Sequence, residues 1–314
     1  MDNLEKSILA TVSYFDIHKY PLTALEIHKW LYHHDSQDIK SYHFKQIADY
    51  LDGSDSLKQF LQTKNGYYFL AGRDFLINQR QKKYQISSFK SRVALRMAKI
   101  FCWLPFVSMV SACNNFGFNS LDKKSDIDFF IIAQKNKIYF VRLLTTILTI
   151  LFGLRPKAFN KSNKICLSFY VADNNLNLSN IKICENDIYL QYWFKTLYPF
   201  FGFKKYFALL SANKAIINNS GDGFYNPCYR RKIIFPFKYR LVVDAILAGN
   251  FGKLVEKIAK TIQQKKINKK VNGYKGEATA IIANNEMLKF HDNDNRRFYL
   301  DEFNKRISKF YEAS

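Results

Sequence analysis

Long hydrophobic runs are missing from this 314-residue chain. The longest, LLTTILTILFGL at 143 to 154, contains three threonines and falls short of the roughly 18 to 20 residues that a spanning helix needs. It follows Arg142 and reads as a buried core helix, and no membrane partner is expected. Paired cysteines are also missing. Cys102, Cys113, Cys166, Cys184 and Cys228 are widely spaced and form no C-x-x-C, which excludes the usual paired-thiol zinc and redox motifs and suggests reduced thiols. The stretch MDNLEKSILATVSYFD has acidic residues where a signal peptide needs positive ones and lacks a small-residue cleavage site, so a cytoplasmic location is expected. Acidic residues are scarce, 26 against 48 Lys and Arg, a balance of +22. That excess would draw the protein toward nucleic acid, nucleotides or an anionic surface. The abundance of Lys, Asn, Ile, Phe and Tyr is equally what an AT-rich coding sequence would produce, so the charge alone does not define a binding groove.

The length exceeds the usual single-domain size, and a central core with appended modules is expected. Leu4, Ile8, Leu9, Val12 and Phe15 recur at helical spacing until Tyr20-Pro21 breaks the pattern. Thr23 with Glu26 forms a capping box for a second helix, and a third helical pattern runs from Ser41 to about Leu51. LKQFLQT and YYFLA then flank Asn65-Gly66, a strong hairpin signal. Three helices and a hairpin resemble a winged-helix module over residues 1 to 72, serving either nucleic-acid binding or packing within a larger protein. Residues 73 to 104 read as a basic helical connector interrupted near Ser87-Ser88, with its charges on a solvated face.

FVSMVSA at 106 to 112 and IDFFIIA at 127 to 133 are short β-branched and aromatic runs bounded by Pro105, Gly117 and the polar NSLDKKS loop, and both read as strands. Side chains two apart on a strand share a face at about 6.5 to 7 Å, so Asp126 and Asp128 point the same way. Two carboxylates held together repel unless cations neutralise them, and a pair of divalent ions so placed serves in-line phosphoryl transfer. Mg²⁺ suits all-oxygen ligation and phosphate substrates. The alternative is a turn-capping Asp126 and an Asp128 on a solvated sheet face.

The context strand, glycine-containing loop, S-D-I-D and apolar strand resembles the nucleotidyltransferase superfamily of DNA polymerase beta, in its minimal members. The resemblance covers about residues 105 to 172 and implies an α+β fold: a mixed sheet with flanking helices, the N-terminal winged-helix-like module and a helical C-terminal region. It implies that Asp126 and Asp128 bind Mg²⁺ and are catalytic. It also implies that a turn built from Ser111, Ala112, Cys113, Asn114, Asn115 and Gly117, together with Ser125, holds nucleotide phosphates. The implied reaction transfers a nucleoside monophosphate from an NTP to an unknown acceptor, whether small molecule, protein or RNA.

Two departures accompany the likeness. Ala112-Cys113, or Ser111-Ala112 in a register one residue earlier, stands where the family has Gly-Ser, with Gly117 as the candidate for a displaced turn. The strand KICLSFYVA at 164 to 172, with Ile165, Leu167, Phe169 and Val171 expected in the core, turns Lys164, Cys166, Ser168 and Tyr170 toward the aspartates and offers no third carboxylate. Asp173 lies just past it. A weak enzyme and a catalytically inactive nucleotide- or nucleic-acid-binding protein therefore both stay open. The core is expected to end near 217, with two aromatic helices divided by Pro199 and Gly202, and residues 218 to 314 to form a basic, mainly helical region. Within it, His291, Asp292, Asp294, Arg296 and Arg297 either close over the active site, an arginine steadying triphosphate charge, or cap the final helix at 295 to 311.

Overall fold

Reciprocal caps start the first two helices. Asp2 and Glu5 accept hydrogen bonds from each other's amides and open α1 (Asn3–Ile17). Thr23 and Glu26 do the same for α2 (Ala24–Lys29), as the capping box predicts. The computed structural model describes residues 1–33, 42–157, 159–217, 233, 237–247 and 249–312. Lys40 and Ser41, at the start of the expected third helix, and Cys228 lie outside the described residues. After α3 (Phe44–Gly53) and a single turn, α4 (Asp55–Lys58), a hairpin pairs β1 (Leu61–Lys64) with β2 (Tyr67–Leu70). Its turn puts Asn65 at φ 55° and Gly66 at φ 74°, the two left-handed residues that match the twist of paired strands. Leu22 bridges Tyr68, tying the hairpin back between the first two helices.

The connector is one unbroken helix, α5 (Leu76–Phe101). The expected interruption at Ser87-Ser88 does not occur, because Ser87 is buried and its hydroxyl accepts the Leu121 amide. Arg80 fastens α5 to the N-terminal helices through both oxygens of Glu26 at 2.7 and 2.8 Å, and its guanidinium stacks over Tyr20 and Tyr67.

The second half builds a mixed sheet, and the chain is α+β. In order come β3 (Val107–Ala112), β4 (Ile127–Ala133), α6 (Ile138–Leu151), β5 (Ile165–Ala172), α7 (Ile188–Lys195), β6 (Tyr198–Phe201), α8 (Phe203–Ala212), α9 (Lys214–Ile217), α10 (Phe237–Ile246), α11 (Asn250–Asn272), β7 (Ile281–Ala283), β8 (Met287–Phe290) and α12 (Arg296–Glu312). The strand order is β6-β3-β4-β5-β8-β7; β4 and β5 run parallel and the other neighbours antiparallel. Residues 106 to 112 and 127 to 133 are neighbouring strands, as expected. Ile127, Phe129 and Ile131 pack on α5, α6 and α11, while Phe130 and Ile132 pack on α7, α8 and α9, so both faces of β4 are sealed. The first two helices, α7 and α12 share a further core through Tyr14, Phe118, Tyr192 and Phe303.

Three further expectations change. Pro199 and Gly202 do not divide two helices directly, since the edge strand β6 lies between them. Gly202 takes φ 80° there, and a Cβ on it would meet the Ser108 carbonyl at 2.1 Å. Residues 281 to 290, expected to be mainly helical, supply two strands of the central sheet. The run at 143 to 154 is buried on one face only. Thr145 and Thr149 face inward, Thr145 Oγ1 lying 2.8 Å from the Tyr170 hydroxyl, whereas Ile150 and Leu151 are 58% and 74% exposed.

Glu26 serves the α2 cap and the Arg80 pair at once. Glu26→Ala is expected to lower unfolding free energy by about 2–3 kcal/mol, combining a lost cap with a half-buried arginine left unpaired. Urea denaturation followed by circular dichroism measures it; a change under about 0.5 kcal/mol, the range of an ordinary surface substitution, would contradict this account.

Candidate functional site

Strand parity places Asp128 on the same face of β4 as Phe130 and Ile132, the face covered by α7, and Asp126 lies just before the strand on that side. At this end of the sheet the cover stops and a cleft of about 440 Å³ opens. Asp128 is paired in register with Cys166 on β5, and a bulge follows at once, before Phe130 meets Phe169. The bulge flips the parity of β5. Leu167 and Tyr170 go to one face and Phe169 and Val171 to the other, so the expected regular alternation from Ile165 to Val171 does not hold. Cys166 stays beside the aspartates, and one ligand atom from each of Asp126, Asp128 and Cys166 lies within 4.8 Å of the others.

The opposite wall comes from the end of the chain. Met287, Lys289 and His291 alternate onto the Asp128 face of the sheet, and the turn through Asp292, Asn293, Asp294 and Asn295 continues the cleft to Arg296 and Tyr299. His18, from the end of α1, stacks on Tyr299 at 4.6 Å between ring centroids and lines the cleft as well. Lys161 stands at the mouth, and Phe169, Tyr189, Leu190 and Trp193 form an apolar side.

Charges in this space are unequally satisfied. Burial, and then the neighbouring Asp126 carboxylate, push Asp128 up to about 6, although an Asn114 amide, the Cys166 thiol and Lys161 oppose the shift. Asn114 donates from Nδ2 to Asp128 Oδ2 at 2.9 Å and accepts from the Tyr189 hydroxyl at 3.2 Å. Burial pushes the Cys166 thiol well up, with both aspartates adding to the effect. Burial also brings Lys289 down to about 7 and His291 to about 3, so His291 is a neutral imidazole at neutral pH.

Arg296 is buried and committed. It meets Asp294 through Nε and Nη2, the Ile181 carbonyl, Thr279 Oγ1 and, at 3.8 Å, Asp187. Asp294 also accepts the Arg296 backbone amide at the start of α12. Burial works against ionisation of Asp294, and the Arg296 donors outweigh it. The 291 to 297 segment therefore both lines the cleft and caps the last helix, but its buried arginine has no donor to spare for a triphosphate. Arg297 is exposed and paired with Glu277 at 3.0 Å.

Of the residues picked from the sequence, Asn114, Asn115, Asp126 and Asp128 meet in the cleft. Ser111, Ala112 and Cys113 are buried in the sheet, the Ser111 hydroxyl donating to the Ala112 carbonyl and the Cys113 amide to the Asp128 carbonyl. Gly117 packs against Thr196, where a Cβ would lie 1.8 Å from a carbonyl oxygen, so it builds the loop from behind and not at the cleft wall. Ser125 turns its hydroxyl to the Asp122 carbonyl. Asp173 sits past the opposite end of β5, paired with Lys205 at 2.9 Å, and is no ligand here.

Sequence reasoning missed Lys90, which it placed on a solvated helix face. Lys90 is 1% exposed and donates to the carbonyls of Lys123 and Ser125, fixing the turn that delivers Asp126. Cys166 lies on the aspartates' face as strand alternation predicts, though it was not named as a ligand there, and His18, Lys289 and Tyr299 were missed. The alternation Met287, Lys289, His291 was the available signal for the far wall. No family model, no curated protein and no solved structure matches the chain.

The raised Asp128 carboxyl sets a pH signature. Its folded value lies above the unfolded one of about 4, so ionisation destabilises the fold and stability is lost as pH rises between about 4 and 6. Asp128→Asn removes that loss. Without added metal, the variant is expected to exceed the native protein by about 1–2 kcal/mol above pH 6, after allowing for solvent in the cleft, and to match it near pH 4. Thermal melts across this range decide it; a variant less stable at pH 7 than the native protein would refute the assignment.

Proposed function

We propose that the protein is a divalent-ion-dependent nucleotidyltransferase that moves a nucleoside monophosphate from an NTP to an acceptor, with pyrophosphate leaving. The observation that carries this reading is the meeting of Asp126, Asp128 and the Asn114-Asn115 turn in one cleft of about 440 Å³. The likeness of this segment to the nucleotidyltransferase superfamily, with the N-terminal helices and hairpin as a winged-helix-like packing module, supports it further. Two carboxylates beside each other, one with a raised pKa, are a donor set that gains from a cation.

Asp126 and Asp128 would hold the ion, which when bound supplies charge neutralisation for the phosphates and the leaving group. Asn114 keeps Asp128 oriented through its amide. Lys90 fixes the backbone ahead of Asp126. Asn115 and Lys161 face the same space and offer donors to phosphate oxygens, and the side formed by Phe169, Tyr189 and Trp193 gives the base an apolar surface. The two carboxylates suit Mg²⁺; the thiol beside them does not suit so hard an ion. With Cys166 where a third carboxylate would stand, turnover is expected to be slow, because the base for the acceptor hydroxyl is missing. That same substitution favours a second reading, a nucleotide-binding protein without turnover.

Calorimetric titration of ATP, GTP, CTP and UTP, with Mg²⁺, with Mn²⁺ and without either, is the direct test on native protein and on Asp128→Ala. Ion-dependent binding of at least one nucleotide, weakened at least tenfold in the variant, is expected. Binding that ignores both the ion and the substitution, or no binding at all, removes the reading. Pyrophosphate release then separates the enzyme from the silent binder.

A further inference from the structure

We infer that Asp126, Asp128 and Cys166 form a three-ligand site for a zinc-class divalent ion, and that the site prefers such an ion to Mg²⁺. The inference rests on the divalent-ion part of the proposed function and departs from its all-oxygen chemistry. Four observations carry it. One ligand atom from each of the three side chains converges within 4.8 Å, close enough for small side-chain rotations to bring all three onto a single ion with bonds of about 2 to 2.3 Å. Cys166 is the register partner of Asp128 on the parallel neighbour strand, ahead of the β5 bulge, and so faces the aspartates. Asn114, held in a left-handed backbone at φ 58°, donates to one oxygen of Asp128, the outer-contact arrangement that orients a metal-bound carboxylate. The cleft beside the three donors gives an open fourth position, as in zinc sites that bind a substrate or water. On its far wall His18 lines the cleft beside Asn115, its Nε2 buried.

The choice of ion follows from the donors. A thiolate is a soft ligand that binds zinc-class ions strongly, whereas Mg²⁺ takes oxygen ligands and loses its water reluctantly. Coordination forms a metal–sulfur bond and releases the thiol proton to solvent, with no change in oxidation state. The sulfur thus takes the place that a third carboxylate would fill.

Competition titrations with Zn²⁺ and Mg²⁺, and absorption spectra with Co²⁺ as a surrogate, test this on the full chain. A double variant, Asp126→Asn with Asp128→Asn, controls for zinc bound at other cysteines and histidines. Zn²⁺ is expected to bind at least about 100-fold more tightly than Mg²⁺, and Co²⁺ to give a thiolate-to-metal charge-transfer band. Cys166→Ser should abolish the band and weaken Zn²⁺ at least about 100-fold, since even an outer contact is worth roughly 10- to 100-fold. Cys166→Asp should shift preference toward Mg²⁺, and Asn114→Ala, which leaves every ligand in place, should weaken Zn²⁺ by roughly 10- to 100-fold. Equal Zn²⁺ and Mg²⁺ affinity, or an unchanged spectrum in Cys166→Ser, overturns the inference while leaving ion-dependent nucleotide binding intact. Tight Zn²⁺ binding with the band, in a protein that binds no nucleotide, supports the inference and removes the nucleotidyl reading alone.

Discussion

Repulsion between Asp126 and Asp128 is the constraint around which the rest of the structure is arranged. Their carboxylates share the open end of a strand that is sealed on both faces everywhere else. At a separation under 5 Å and an effective dielectric near 20, two such charges oppose each other by on the order of 3 kcal/mol. The chain could relieve this by letting the turn before β4 swing into solvent. Lys90 prevents that by spending a buried ammonium on the carbonyls of residues 123 and 125. The Asn114 amide and the Cys166 thiol then meet Asp128 from two sides.

These restraints come from distant parts of the sequence. Lys90 belongs to the connector helix, Asn114 to the loop after β3, and Cys166 to β5. The far wall is brought by β8 and α12, whose own charges are internally balanced: Arg296 against Asp294 and Asp187, and Asp292 against Lys270. Balanced walls facing an unbalanced pair concentrate the unmet electrostatic demand at Asp126 and Asp128. Such concentration marks a place where a cation gains most, and it is bought with fold stability, as functional sites commonly are.

The N-terminal helices contribute to the cleft without supplying its chemistry. Tyr14 stacks on Tyr192 with ring centroids 4.0 Å apart, and the same helix ends at His18 against Tyr299. The module thereby packs on α7 and α12, which both border the cleft. The module is also tied from outside: Arg73, just past it, and Arg306 of α12 converge on its buried Asp16 at 2.7 and 3.5 Å.

Local chemistry made much of this legible in the sequence. The Thr23-Glu26 capping box, the Asn65-Gly66 turn and the strands at 106 to 112 and 127 to 133 are set by neighbours within a few residues, so they could be read directly. The pairing of Asp126 with Asp128 on one face follows from the two-residue period of any strand. What the sequence could not show depended on partners far along the chain. The β5 bulge overrode the expected alternation, turning Tyr170 away from the aspartates' face and Phe169 onto it. The short runs that became β6 and β7 carry too few residues to reveal a period, and only pairing with β3 and β8 made them strands. Lys90 looked like one more cation of a solvated helix because burial is a property of the assembled core. The sequence by itself determined that two carboxylates would stand together at a strand's end. Tertiary structure decided which amide and ammonium would surround them, because long-range packing, unlike strand periodicity, has no local signature.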